Sequence, residues 1–160
     1  MLFWVSSMKC SQKAKELFLN GYNCSQAVVL AFKDYLDVDE KSLEAIASSF
    51  GGGISRLRET CGCISGMAIV LGLLNKTYDP LDNEAKSTHY ANVQELALKF
   101  KEKMKSYICS DLLNIEKGPQ SPIASIRDAN YYHNRECAKF IEYMAELIEE
   151  KISYYGKNQN

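Results

Sequence analysis

Apolar positions along this chain recur mostly every three to four residues, and no stretch alternates in the period-two manner of a strand. The spacing predicts a first helix over residues 11–19, stopped by Asn20-Gly21. A second starts at Asn23, where Asn23 and Gln26 have capping-box spacing, and it turns Ala27, Val28, Leu30, Ala31 and Tyr35 inward. A third covers residues 39–50, with Leu43, Ile46 and Phe50 on one face, and ends in Gly51-Gly52-Gly53, where a positive φ is wanted. The next, residues 60–74, is the most apolar and so the central one. Its Gly62/Gly66 and Ala68/Gly72 pairs offer smooth faces to close neighbours.

A long amphipathic helix follows over residues 83–105. Val93, Leu96, Ala97 and Phe100 form its apolar side, and Lys99, Lys101, Glu102, Lys103 and Lys105 its solvated one. A short turn at residues 110–113 precedes a loop at 116–122, where Pro119 and Pro122 forbid helix. The last helix runs over residues 128–154 through Phe140, Ile141, Met144, Leu147 and Ile148. This is the pattern of an all-α chain: a single-domain helical bundle of five to six helices over residues 9–154, with frayed ends at 1–8 and 155–160.

Composition agrees with that class. Of 160 residues, 46% are apolar and 24% charged, enough for a core without disulfide staples. The 19 basic and 20 acidic residues nearly cancel, which argues against a nucleic-acid partner, since phosphate contacts need a basic stripe. The longest apolar run is far too short for a membrane span. The apolar start Met1-Leu2-Phe3-Trp4-Val5 lacks the basic flank and cleavage site of a secretory signal, so a cytoplasmic location is expected. Tyr131-Tyr132 and Tyr154-Tyr155 leave room for a homodimer interface, although aromatic residues serve a core equally well.

The candidate chemistry lies in six cysteines: Cys10, Cys24, Cys61, Cys63, Cys109 and Cys137. In a reducing compartment such a set points to metal binding or redox work before structural disulfides, against the plain alternative of small buried hydrophobes. Four of them fall beside proposed helix starts: Cys24 after Asn23, Cys61 after Thr60, Cys109 before Ser110 and Asp111, and Cys137 if Asn134 is the cap of the last helix, whose pattern also allows the earlier start at 128. Free N–H groups and the positive end of the helix dipole favour thiolate there, the form that binds metal and attacks disulfides. On an ideal helix Cys61 and Cys63 point about 200° apart, so Cys63 reads as a packing residue unless that segment is extended. Cys10, beside Lys9, looks incidental.

Gaps of 13, 36, 1, 45 and 27 residues between successive cysteines exclude a local Cys-x-x-Cys pair, a zinc ribbon and a ferredoxin run. Any shared site has to be assembled by folding. His133 and Cys137 are four apart, which would align them on one helix as a mixed ligand pair. Gly52 and Gly53 with Arg56 (or Arg58) offer a cradle for an anionic cofactor; the competing reading is a helix C-cap and tight corner. No Lys-Ser/Thr follows, so a P-loop is excluded.

Gly21-Tyr22-Asn23-Cys24-Ser25-Gln26-Ala27, Phe50-Gly51-Gly52-Gly53-Ile54 with Arg56, Cys61-Gly62-Cys63-Ile64-Ser65-Gly66 and the single Cys109 and Cys137 together resemble the C-GCAxxG-C-C family, described as redox-active. By position, the resemblance implies Cys24, Cys61, Cys109 and Cys137 as the characteristic cysteines, with Cys63 standing where the pattern has Ala. Three functions are then open. In the first, the four cysteines bind an iron–sulfur cluster or other thiophilic metal for electron transfer with a redox partner protein. In the second, Cys61 is a nucleophile and Cys24 resolves it, in thiol–disulfide or sulfur-carrier chemistry. The third is a helical interaction domain whose cysteines only pack.

Overall fold

A computed structural model describes residues 8–157, and among them there is no strand. Eight helices make up the fold: α1 (Cys10–Leu19), α2 (Cys24–Ala31), α3 (Glu40–Ala47), α4 (Gly62–Leu74), α5 (Asn83–Met104), α6 (Cys109–Leu113), α7 (Ala129–His133) and α8 (Cys137–Lys157). The chain is therefore all-α, with a helix count above the expected five to six. Part of the excess comes from the last helix. It divides at Asn134-Arg135-Glu136, and the break places Cys137 in the first turn of α8. The expected frayed ends fall largely outside the described residues, as do the side chains of Tyr154 and Tyr155, while the backbone of α8 stays helical to Lys157.

Helix α2 is the axis of the molecule. Its capping box is complete: Gln26 N donates to Asn23 Oδ1 at 2.9 Å and Asn23 N donates to Gln26 Oε1 at 3.2 Å. From Ala27 to Phe32 every side chain is buried, because α1, α3, α4 and α8 all pack against this short helix. Phe18 of α1, Met67 and Val70 of α4, Phe100 of α5 and Ile141, Met144 and Ile148 of α8 complete one core.

Close approach of α4 to α2 depends on missing side chains. A Cβ on Gly66 would sit 3.0 Å from Val28 Cβ, and one on Gly62 would sit 2.9 Å from Cys24 Cβ. The second smooth face is not used, since nothing lies within 4 Å of a Cβ on Gly72. Two other inward assignments fail. Tyr35 belongs to a separate 3-10 turn and is exposed, and α3 ends at Ala47, leaving Ile46 exposed and Phe50 half-buried in a 3-10 turn of its own.

Between α3 and α4 the chain makes an uncommon corner. Five consecutive residues, Gly52, Gly53, Ile54, Ser55 and Arg56, have positive φ between 47° and 68°. A left-handed turn costs roughly 1–2 kcal/mol for each residue with a Cβ, so tertiary contacts must hold it. They do so by Ser55 N donating to Ser49 O, Arg58 N to Gly52 O and Glu59 N to Gly53 O. Beyond it, an antiparallel bridge joins Thr60 to Ile108.

Candidate functional site

That bridge brings two cysteines together. Cys61 N donates to Tyr107 O at 2.8 Å and Cys109 N to Glu59 O at 2.7 Å, so the starts of α4 and α6 lie side by side. Gly53 lets the left-handed turn pass beneath them: a Cβ there would stand 2.6 Å from Cys109 Cβ. Gly62 lets Cys24 in from α2, and α8 delivers Cys137. The start of α2 is fixed against the same corner, where a Cβ on Gly51 would meet Asn23 Cβ at 2.5 Å. Cys24, Cys61, Cys109 and Cys137 thus gather at four helix N-termini, each at the cap or the first helical residue. The cap positions differ by a residue or two from those expected: Ile108 and not Ser110, Cys61 itself and not Thr60, and Glu136 and not Asn134.

All six cysteines are free thiols, five of them buried and Cys24 half-buried. Within the cluster they pair. The Cys24 thiol donates a hydrogen bond to Cys137, which raises the Cys24 pKa well above its ordinary 9.0, with burial adding to the effect. The same bond is the leading cause that lowers the pKa of Cys137 below 9.0, against its burial. Gly52 N–H donates to the Cys24 sulfur, so the group that the glycine corner cradles is a thiol of this chain. Burial and a hydrogen bond to Cys61 push the Cys63 thiol well up. Burial also raises Cys109, opposed by Arg58, whose Nη1 lies 3.6 Å from the Cys109 sulfur.

The hydrogen bonds that shift the thiols join Cys24 to Cys137 and Cys63 to Cys61, while the sequence reading sets Cys61 with Cys24. Two expectations change here. Cys63 is a fifth thiol of the cluster and not simply a packing residue. The 200° argument required Cys61 to be helical, but Cys61 is an extended cap with ψ 136°, which leaves both sulfurs on one side. His133 ends α7 exposed, on a different helix from Cys137, so the two do not form a ligand pair. Cys10 is buried in the core, with Glu149, Lys13 and Asp34 as the charges around it.

Arginine surrounds the thiols. Besides Arg58 at Cys109, Arg127 acts electrostatically on Cys24 and Arg135 on Cys137, favouring thiolate in both. Arg127 and Arg135 flank the Tyr131 ring at 4.6 and 4.4 Å from its centroid. Arg56 donates to Ser121 O and Ser125 Oγ, and Arg58 Nε to Gln120 Oε1, tying the loop at 114–128 over the cluster. Sequence reasoning missed Arg127 and Arg135, although a signal was present: all four arginines of the chain occur in two short segments, each close to a cysteine.

A thiophilic metal makes a definite geometric demand of such a cluster. Among the described residues no group of three or more His, Cys, Asp or Glu side chains is arranged to hold a metal ion. Hydrogen bonds join Cys24 to Cys137 and Cys63 to Cys61, while Cys109 takes its bond from Arg58. No described helix is long and apolar enough to cross a membrane. Compared with known proteins, residues 22–151 match the family model described as "Putative redox-active protein (C_GCAxxG_C_C)". No curated protein and no solved structure matches the chain.

Proposed function

The chain belongs to the C_GCAxxG_C_C family, and from that premise we propose that it is redox-active and carries out two-electron thiol–disulfide exchange with Cys24 and Cys137 as its working pair. The observation that supports this reading is their hydrogen bond, in which one sulfur is held protonated and the other is favoured as thiolate. A nucleophile needs thiolate character and a resolving thiol needs to lie beside it.

The exchange balances as follows. The Cys137 thiolate attacks one sulfur of an acceptor disulfide, forming a mixed disulfide and releasing a thiolate that takes a proton from water. Cys24 then loses its proton and attacks the Cys137 sulfur, closing a Cys24–Cys137 disulfide and releasing the second acceptor half as a thiol. The protein pair is oxidised by two electrons and the acceptor is reduced to two thiols. Arg127 and Arg135 assist by stabilising thiolate at Cys24 and Cys137.

Treating the fully reduced protein with hydroxyethyl disulfide tests the proposal. The expected result is the loss of two of six thiols and a peptide pair linked through Cys24 and Cys137, neither of which forms in Cys137→Ala. Retention of all six thiols, or a link through Cys61 and Cys24 instead, would overturn the assignment. The metal reading draws its support from the gathering of four soft donors at one place. Its test is iron and zinc analysis of an anaerobic preparation: stoichiometric iron, with a visible charge-transfer band lost in Cys61→Ser, would replace the dithiol assignment.

A further inference from the structure

The chain segregates its two kinds of basic residue. Every ion pair among the described residues is made by a lysine, and none of the four arginines has a carboxylate within 4.0 Å. Carboxylates are at hand in sequence, for Glu59, Asp128 and Glu136 each adjoin an arginine. They are directed elsewhere: Asp128 accepts from Tyr131 N as the cap of α7, and Glu136 pairs with Lys139. Arg58 is the sharpest case. Its side chain is buried at 4% exposure, yet its hydrogen-bond partners are a neutral amide oxygen and the Cys109 sulfur. Burying a guanidinium without a counter-charge is costly, and no carboxylate of the described residues offsets that cost at Arg58.

The other three arginines extend this charge outward. Arg56 is near enough to Arg58 and Arg135 for their positive charges to oppose its own. Arg56, Arg127 and Arg135 are half-buried, as are Cys24 and Gly52, with Arg56 against Gly52, Arg127 by Cys24 and Arg135 by Cys137, so guanidinium groups stand on the solvent side of the thiol pair. Guanidinium is also the group that takes a carboxylate in a two-point grip, which lysine does not.

Resting on the thiol-exchange reading, we infer that the arginine rim selects the acceptor: a small organic disulfide bearing a carboxylate on each arm, held by Arg56, Arg127 and Arg135 while its sulfurs face Cys137 and Cys24. The acceptor leaves as two thiol carboxylates, having gained the two electrons the protein pair has lost.

The test measures the rate of oxidation of the reduced, full-length protein by three small disulfides: dithiodipropionate (dianionic), hydroxyethyl disulfide (neutral) and cystamine (dicationic). Dithiodipropionate is expected to react at least about tenfold faster than the neutral compound, and cystamine slowest, with the spread shrinking at high ionic strength. In Arg56→Gln and Arg127→Gln the anionic-to-neutral ratio should fall several-fold, a ratio from which general changes in thiol reactivity cancel. Equal rates for the three compounds, or a ratio indifferent to salt, would overturn the inference and leave the exchange reading standing. Adipate separates the two failures, since it carries the carboxylates without a disulfide. Its binding in calorimetry to protein that no disulfide oxidises would keep the anion site and remove the exchange chemistry. Absence of adipate binding together with a flat rate order would remove the site.

Discussion

At the scale of single residues, the site is governed by a contest between burial and hydrogen bonding, and the thiols lose or win it individually. Helix N-termini favour thiolate, and four cysteines stand at such positions. Burial nevertheless raises Cys63 and Cys109, and Cys24 is raised first by the bond it donates. Cys137 alone among the shifted cysteines goes down, because a neighbouring thiol donates to it. The sign gives a pH dependence. As pH rises towards 9.0, Cys137 ionises earlier than an ordinary cysteine while Cys24 and Cys63 remain thiols. Iodoacetamide at about pH 7.5 should therefore label Cys137 ahead of Cys24 and Cys63, as read by peptide mapping over a pH series. Cys24→Ala removes the leading cause, so the Cys137 inflection should move upward, and an unmoved inflection would mean that the bond does not hold the charge. A second consequence concerns Arg58. Arg58→Met withdraws the cation that opposes burial at Cys109, so Cys109 labelling should shift to still higher pH.

At the scale of elements, glycines decide which helices can meet, and sequence spacing reveals only some of them. The pair Gly62/Gly66 was legible as a smooth face, and so was the Asn23 capping box. The left-handed turn was not legible beyond its glycines, because Ile54, Ser55 and Arg56 have no local reason for positive φ and adopt it only under tertiary contacts. The break at residues 134–136 was legible only in part: neither Gly nor Pro announces a stop, and Asn134 alone offered a cap for a helix starting near Cys137. Cys63 was misread because an ideal helix was extended one residue too far, over Cys61. Two substitutions separate glycines that matter from one that does not. Gly53→Ala combines a φ of 65° with a 2.6 Å approach to Cys109 Cβ and 2.8 Å to Glu59 N, so a loss of about 2–4 kcal/mol is expected in urea unfolding. Gly72→Ala meets nothing within 4 Å on an exposed stretch of α4 and should stabilise by about 0.5–1 kcal/mol. If Gly53→Ala were as harmless as Gly72→Ala, the turn beneath Cys109 would not have the tight packing described.

At the scale of the molecule, the proposed redox pair joins two helices from opposite ends of the chain. Cys24 opens α2 and Cys137 opens α8, and these helices already pack against each other in the reduced fold. Oxidation of this pair therefore needs little movement of the core, while in the unfolded chain the same bond closes a loop of 113 residues, from 24 to 137. Closing a loop of that size removes unfolded-state entropy equivalent to about 4–5 kcal/mol, less any strain the bond introduces. The oxidised protein should consequently unfold at a higher urea concentration than the reduced protein, with a difference approaching that value, and Cys137→Ala should abolish the difference between the two redox conditions. A pair linking Cys61 to Cys63 would enclose a single residue and give almost no such gain, so the size of the shift reports which sulfurs have joined. Equal midpoints in the two states, with two thiols lost on oxidation, would mean that the bond forms between neighbours at the start of α4 and that the electrons are stored there.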